Sequence, residues 1–264
     1  MDIPPPPHKL MKTLFKKILG SLWYRPGSVH RILRGPMKGM RFRMTESSGF
    51  SALYSGNEHA NQEAYARLVR PGDTVIDGGA NWGVHTLYLA RLTGITGRVH
   101  AFEPHPLVIE ELRCNVSLNS LSQVTVHQCG LLDADSELPF VFGAATKSSH
   151  IAAANETGQT VVVPCRTLDS MVVGMGLESL RLIKLDVEGA ESRALRGAKD
   201  TIARFRPHLI IELHTPEQDL AVAELLTAWN YKLARLEGPP ILHLNRSWPD
   251  QNGVWGTIHA EPLP

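Results

Sequence analysis

Residues 75–83 read VIDGGANWG: an apolar run closes on Asp77, and Gly78, Gly79, Asn81 and Gly83 crowd the next six positions. Glycine is favoured where the backbone takes positive φ or approaches a ligand closely, and it is entropically costly elsewhere. A strand, a glycine turn and then the helical pattern WGVHTLYLARLTG place backbone N–H groups and a positive helix terminus at the carboxyl edge of a sheet. Open α/β sheets bind their ligands there.

Outward from that turn, short β-rich runs alternate with longer helical ones, the pattern of an α/β protein whose mostly parallel sheet is covered on both faces. RVHAFEP reads as a second strand, PLVIEELRCNVSLN as a helix opened by Pro106, and QVTVHQCG as a third strand. LPFVF and TVVVP read as strands around a polar stretch, residues 143–159, in which Lys147, Ser148, Ser149 and His150 are able to hydrogen-bond a polyol. The alternation resumes with strand RLIKLDVEG, helix AESRALRGAKDTIARF, strand HLIIELH, helix EQDLAVAELLTAWN and late strands YKLARLE and VWGTIHA.

The 264 residues, 43% of them hydrophobic, suffice for one large domain over residues 55–264 with an appendage over residues 1–54. The 27 Lys and Arg nearly balance the 26 Asp and Glu, which argues against a nucleic-acid partner. Three widely spaced cysteines suggest neither a disulfide framework nor a zinc knuckle, and they fit a reducing, cytoplasmic compartment. Four prolines and Lys16–Lys17 near the start speak against a signal peptide or a membrane span. Leu10, Met11, Leu14, Phe15, Ile18, Leu22 and Trp23 nevertheless fall at helical spacing among Lys9, Lys12, Lys16 and Lys17. Residues 9–23 thus read as a helix packed on the domain or as a basic helix resting on the inner membrane surface.

Two cofactor classes use a glycine turn of this kind. No register of GGANWG supplies the G-x-G-x-x-G of a dinucleotide fold. Asp77, Gly79, Asn81 and Gly83 instead alternate as D-x-G-x-N-x-G, which resembles motif I of S-adenosylmethionine-dependent methyltransferases. The acid has chemical sense there, because it repels a pyrophosphate and attracts the cofactor's ammonium. Glu103, 20 residues beyond Gly83, is placed to accept both ribose hydroxyls. That spacing is shared with nicotinamide enzymes, so an NAD-dependent oxidoreductase and a non-catalytic cofactor-binding protein stand as alternatives.

VIDGGANWGVHTLYLA, VHAFEPHP, LRCNVSLN, RTLDSM, IKLDVEGAESRALRGA and RPHLIIELH together resemble the FkbM family of methyltransferases over residues 55–215. The resemblance implies a Rossmann-like class I fold, S-adenosylmethionine as cofactor and O-methylation of sugar or macrolide hydroxyls. Glu58 falls where family members tend to carry an acid, so it joins Asp77, Gly79, Asn81, Gly83, Glu103 and Asp186 as a cofactor-site candidate.

Methyl transfer to an oxygen is an in-line displacement that needs a base for the acceptor's proton. Asp186 and Glu188 at the end of LIKLDVEG, and Glu212 and His214 at the end of LIIELH, stand where that base should be. His214 is the first choice, since an unperturbed imidazole titrates near neutrality; Asp186 or Glu188 serves if apolar surroundings raise its carboxyl. Glu188 equally suits the start of the next helix. Asp186, Glu212 and His214 are donor types that bind metals, but nothing in their spacing demands an ion. His100 and His208 read as structural, as does Cys165, whose Pro-Cys dipeptide precedes the strand that in cytosine methyltransferases it would follow. DVEG replaces the acid-or-amide-Pro-Pro-aromatic turn of amino-directed DNA methyltransferases, which argues against a base nitrogen as acceptor.

Overall fold

A computed structural model describes residues 25–45, 59–141, 160–236 and 256–264, together with the backbone of residues 150–151. The chain divides into two compact units, one ending at Asn57 and the other beginning at Glu58. Residues 9–23, Glu58 and Lys147–Ser149 lie outside the described residues.

In the first unit, β1 (Val29–Arg31) pairs antiparallel with β2 (Arg41–Arg43). Side chains alternate across a strand, and Phe42 is buried together with Ile32, Met37 and Met44.

The second unit is built on strands β3 (Thr74–Gly78), β4 (Arg98–Phe102), β5 (Val124–His127), β10 (Leu182–Leu185), β11 (His208–Glu212), β12 (Tyr231–Arg235) and β13 (Thr257–Pro262). They form one seven-stranded sheet in the order β12-β13-β11-β10-β3-β4-β5, parallel except for β13, which runs against both its neighbours. The chain leaves β3 through α2 (Val84–Thr93) to β4 and through α3 (Pro106–Leu118) to β5. It then restarts at β10, on the other side of β3, and passes through α5 (Glu191–Arg196) and α6 (Lys199–Phe205) to β11. From there α7 (Pro216–Ala228) leads to β12. Strand order therefore reverses between β3 and β10, the position at which parallel sheets open a crevice at their carboxyl ends. Because βαβ crossovers keep one hand, the reversal puts the two sets of helices on opposite faces. Every residue of β3 and β10 is buried, as a central strand covered on both faces requires.

A smaller sheet of β6 (Gly130–Leu131), β7 (Ser136–Val141), β8 (His150–Ile151) and β9 (Thr160–Arg166) has the order β6-β9-β7-β8. The two strands expected around the polar stretch are thus β7 and β9, paired antiparallel. Helix α4 (Leu168–Met175), capped by the Thr167 hydroxyl, was masked in the sequence by its brevity. Helix α1 (His59–Leu68) packs on α2 through buried Tyr65.

One expected helix is two. AESRALRGAKDTIARF breaks into α5 and α6 around Gly197, where the backbone presses on Leu132: a Cβ there would lie 1.8 Å from the Leu132 carbonyl oxygen. The other helices keep their expected starts. His105 caps α3, its Nδ1 accepting from the N–H groups of Leu107 and Val108, and the Thr215 hydroxyl accepts from Gln218 at the start of α7.

Candidate functional site

A cleft of about 710 Å³, its open mouth included, lies at the strand-order reversal and is lined by Gly79, Asn81, Glu103, His105, Asp186 and Glu188 among others. Its first side grows from the ends of β3 and β4. Gly79 takes φ 73, and a Cβ there would sit 1.8 Å from the Asp186 carbonyl oxygen, so no other residue fits between the two central strands. Asn81 also takes positive φ, and its N–H donates to Glu103 Oε2 at 2.8 Å. The His105 N–H donates to Glu103 Oε1 at 2.9 Å. Burial pushes the Glu103 carboxyl up to about 7, against the lowering pull of those two N–H groups and of Lys184. Each oxygen keeps a second lone pair for a further donor. Apolar Phe102, Pro104, Val108 and Leu131 continue the lining.

Asp77 and Gly83 do not reach this cleft lining. Gly83 precedes α2 as its N-cap. Asp77 is fully buried, with Oδ2 accepting from the Thr86 hydroxyl at 2.6 Å and Oδ1 3.3 Å from the Lys184 ammonium. The chain itself thus places an ammonium beside Asp77. Lys184 also donates to the Gly79 carbonyl at 2.9 Å and lies 3.4 Å from Asp186 Oδ2, so one buried cation ties the glycine turn to the opposite strand.

The second side is a knot of charge beyond the ends of β10 and β11. His214 stands at its centre: Nδ1 lies 2.8 Å from Glu191 Oε1, and Nε2 lies 3.4 Å from Asp186 Oδ1 and 3.5 Å from Glu188 Oε2. Burial lowers the affinity of this imidazole for protons, but the bond to Glu191 and the fields of Glu191, Asp186 and Glu188 prevail and hold it at about 9. At neutral pH His214 is therefore held as an imidazolium, with Nδ1 donating to Glu191 Oε1. That charge state favours Glu188 over His214, the first choice from the sequence, as the base. Burial pushes Glu188 the other way for a base, up to about 7; the charge of His214 lowers it, while Asp186, Glu212 and Glu191 raise it. Glu188 occupies positive φ, an uncommon conformation for a non-glycine residue that concentrates at functional sites. It does not cap the next helix, whose N-cap is Ala190.

Asp186, Glu212 and His214 also bring one ligand-type atom each within 4.8 Å of one another. Glu191 and Lys184 were not singled out in the sequence. Glu191 is fully buried, and its Oε1 accepts from both His214 and the Gly189 N–H. The signal for it was the acid of VEGAE, hidden as an ordinary first-turn glutamate; Lys184 showed itself only as a charge inside the apolar run LIKL.

The remaining candidates lie elsewhere. His100 meets His127, and His208 meets His259, each pair 3.1 Å apart between ring nitrogens. Burial raises the Cys165 thiol, and that of Cys129 to about 11, so neither is a thiolate nucleophile at neutral pH. Among the described residues no helix is long and apolar enough to cross a membrane.

The family model of the methyltransferase FkbM domain matches residues 77–233, more than half of the chain. Methyltransferase 1 of Beauveria bassiana is 30% identical over 59% of this chain and 71% of its own length. The 31-O-demethyl-FK506 methyltransferase FkbM of Streptomyces tacrolimicus is 27% identical over 65% of this chain and 77% of its own. The 2-O-methyltransferase NoeI of Sinorhizobium fredii is 24% identical over 55% and 65%. The crystal structure of methyltransferase FkbM from Methylobacillus flagellatus aligns with 21% identity and a TM-score of 0.48, covering 75% of this chain and 50% of that one.

S-adenosylmethionine is the cofactor of such a domain, and the first side of the cleft fits it. The spare lone pairs of Glu103 suit two vicinal hydroxyls, and the Phe102, Pro104, Val108 and Leu131 surface suits a flat base.

Proposed function

Because the chain belongs to the FkbM methyltransferase family, we propose that it is an O-methyltransferase whose acceptor is a hydroxyl of a sugar, glycan or polyol-type natural product, working in the cytoplasm, which its three free cysteines fit. Membership removes the nicotinamide oxidoreductase that the glycine turn alone had left open. Two relatives named for methylating an oxygen support the choice of atom.

The observation that carries the mechanism is Glu188, a cleft-lining carboxyl held near 7 beside an imidazolium. A base titrating near the working pH combines a populated basic form with useful driving force. When bound, S-adenosylmethionine supplies a methyl group on a sulfonium that leaves as a neutral thioether. Glu188 would take the acceptor's hydroxyl proton as the methyl group passes to that oxygen and the thioether departs. His214, already protonated, favours the ionised form of Glu188 between turnovers and places positive charge beside the oxygen that loses its proton. Glu191 holds His214 in place, and Lys184 secures Asp186.

A test is incubation with cofactor labelled in the methyl group and fractionated glycans and small polyols. The reading expects label in alkali-stable methyl ethers. Label confined to amines or carboxyl groups sinks it, and cofactor binding without transfer to any fraction returns the protein to the non-catalytic alternative.

A further inference from the structure

The surface suited to a flat base uses Phe102, Pro104, Val108 and Leu131, and it leaves a second apolar group in the cleft lining without a role: Leu132, Phe140, Cys165, Val187 and Ala190. These five belong to one packed cluster, in which Leu132, Cys165 and Ala190 are buried and half-buried Phe140 and Val187 lie against them. The small sheet builds this wall by alternation. Ser136 stands opposite Cys165, Leu138 opposite Val163 and Phe140 opposite Val161, so the apolar members of these pairs share one face of β7 and β9. Val187 and Ala190 come from the turn that carries Glu188, so the wall continues into the segment holding the proposed base.

Charge in the same cleft is of one sign. Its lining includes Glu103, Asp186 and Glu188 and neither Lys nor Arg. His105, the histidine of the lining, is held below its ordinary value by burial and so is uncharged at neutral pH. The cations behind the lining are engaged by acids of the chain: Lys184 by Asp77 and Asp186, and His214 by Glu191, Asp186 and Glu188. Carboxyls outnumber cations in that group. A phosphate, sulfate or carboxylate brought in beside them would meet like charge in a setting of lowered dielectric, where repulsion is strong. The cofactor's sulfonium has the opposite sign and is favoured there.

We propose that the acceptor is an uncharged amphiphile: its hydroxyl belongs to a body with an apolar face that lies on the wall of Phe140 and Val187, and no anionic group stands near that hydroxyl. The inference rests on the reading of this cleft as a methyl-transfer site and narrows the acceptor within it. A glycoside of an apolar aglycone or a hydroxylated hydrocarbon ring fits. A free hexose, a sugar phosphate or a nucleotide-linked sugar does not. The preference has a simple source, since each methylene moved from water onto such a wall strengthens binding by roughly fourfold.

The experiment titrates the full-length protein, loaded with S-adenosylhomocysteine, with probes built on one ring: cyclohexanol, myo-inositol and trans-4-hydroxycyclohexanecarboxylate, each followed by saturation-transfer NMR. Cyclohexanol is expected to bind about tenfold or more tightly than myo-inositol, and the carboxylate about tenfold more weakly than cyclohexanol. Phe140→Thr keeps a strand-forming residue and removes the ring, so it should weaken cyclohexanol by about fivefold while the affinity for S-adenosylhomocysteine stays within about twofold. Myo-inositol or the carboxylate binding as well as cyclohexanol, or no probe binding at all, would each overturn the proposal. Equal losses of cyclohexanol and S-adenosylhomocysteine in the variant would overturn it too, because the wall would then belong to the cofactor. If the variant fails to fold, the order of the three probes on the wild type decides. That order is read without turnover, so it fails separately from the methyl-transfer reading, which falls only when no hydroxyl-bearing fraction takes label.

Discussion

Glu103 and Glu188 line the same cleft from the ends of different strands, and burial pushes both carboxyls up to about 7, yet they are held in unlike ways. Glu103 is fastened by two backbone N–H groups whose positions follow from the glycine turn and the start of α3. Glu188 has side chains around it: an imidazolium that lowers its proton affinity and three carboxylates that raise it. Backbone donors are fixed dipoles that suit a group meant to stay in one charge state and hold a ligand. A ring of titratable neighbours suits a group meant to gain and lose a proton, because a small change in one neighbour moves the balance.

The largest effect that separates the two is chemical. Glu188→Gln keeps the size of the side chain and removes its basicity, so turnover should fall by roughly 10²–10⁴-fold while the cofactor's dissociation constant changes by less than about twofold. A variant turning over at the wild-type rate would remove Glu188 from proton transfer. Next comes the cation that serves both sides. Lys184 is almost fully buried between Asp77 and Asp186 and also lowers Glu103, so Lys184→Met leaves Asp77 charged and without its ammonium in the core. Removing one partner of a buried pair costs about 3–5 kcal/mol, readable by chemical denaturation. A loss below about 1 kcal/mol would mean that the Lys184–Asp77 pair adds little net stability to the fold. Glu103→Gln is smaller and of another kind. It should weaken cofactor binding by about 1.5–3 kcal/mol, the range for hydrogen bonds to a charged group, with turnover at saturating cofactor little changed.

The same contrast explains what could be read in advance. The Glu103 side is local: Asp77, Gly79, Asn81 and Gly83 fall within seven residues, and the alternation of strand and helix fixes where the next strand ends. Charge state in the Glu188 knot depends on atoms from β10, α5 and β11 together. Residue types at LDVEG and IELH located the knot, but nothing in them said that Glu191 would be buried against His214 and hold its proton in place. Hence the histidine, the natural base at its ordinary value, gives way to Glu188 in the proposed mechanism. The partner of Asp77 was out of reach in the same way, because Lys184 lies more than 100 residues away in sequence yet beside it in the sheet.

The smallest effect is the sharpest discriminator. In the wild type, turnover should rise with pH as the Glu188 knot loses a proton near 7. His214→Asn keeps an N–H donor for Glu191 but carries no charge. The one neighbour that lowers Glu188 is then gone, while burial, Asp186, Glu212 and Glu191 still raise it. Its proton is held more tightly, so the acidic limb of the pH–rate profile should move to higher pH, by about one unit, with turnover recovering once that limb is passed. If His214 were the base, the limb would vanish and turnover would stay low at every pH. The same substitution should leave cofactor affinity near its wild-type value, because Glu103 is held by backbone groups that His214 does not touch. A shift in affinity as large as the shift in the limb would mean that the two sides of the cleft are coupled more strongly than Lys184 alone provides.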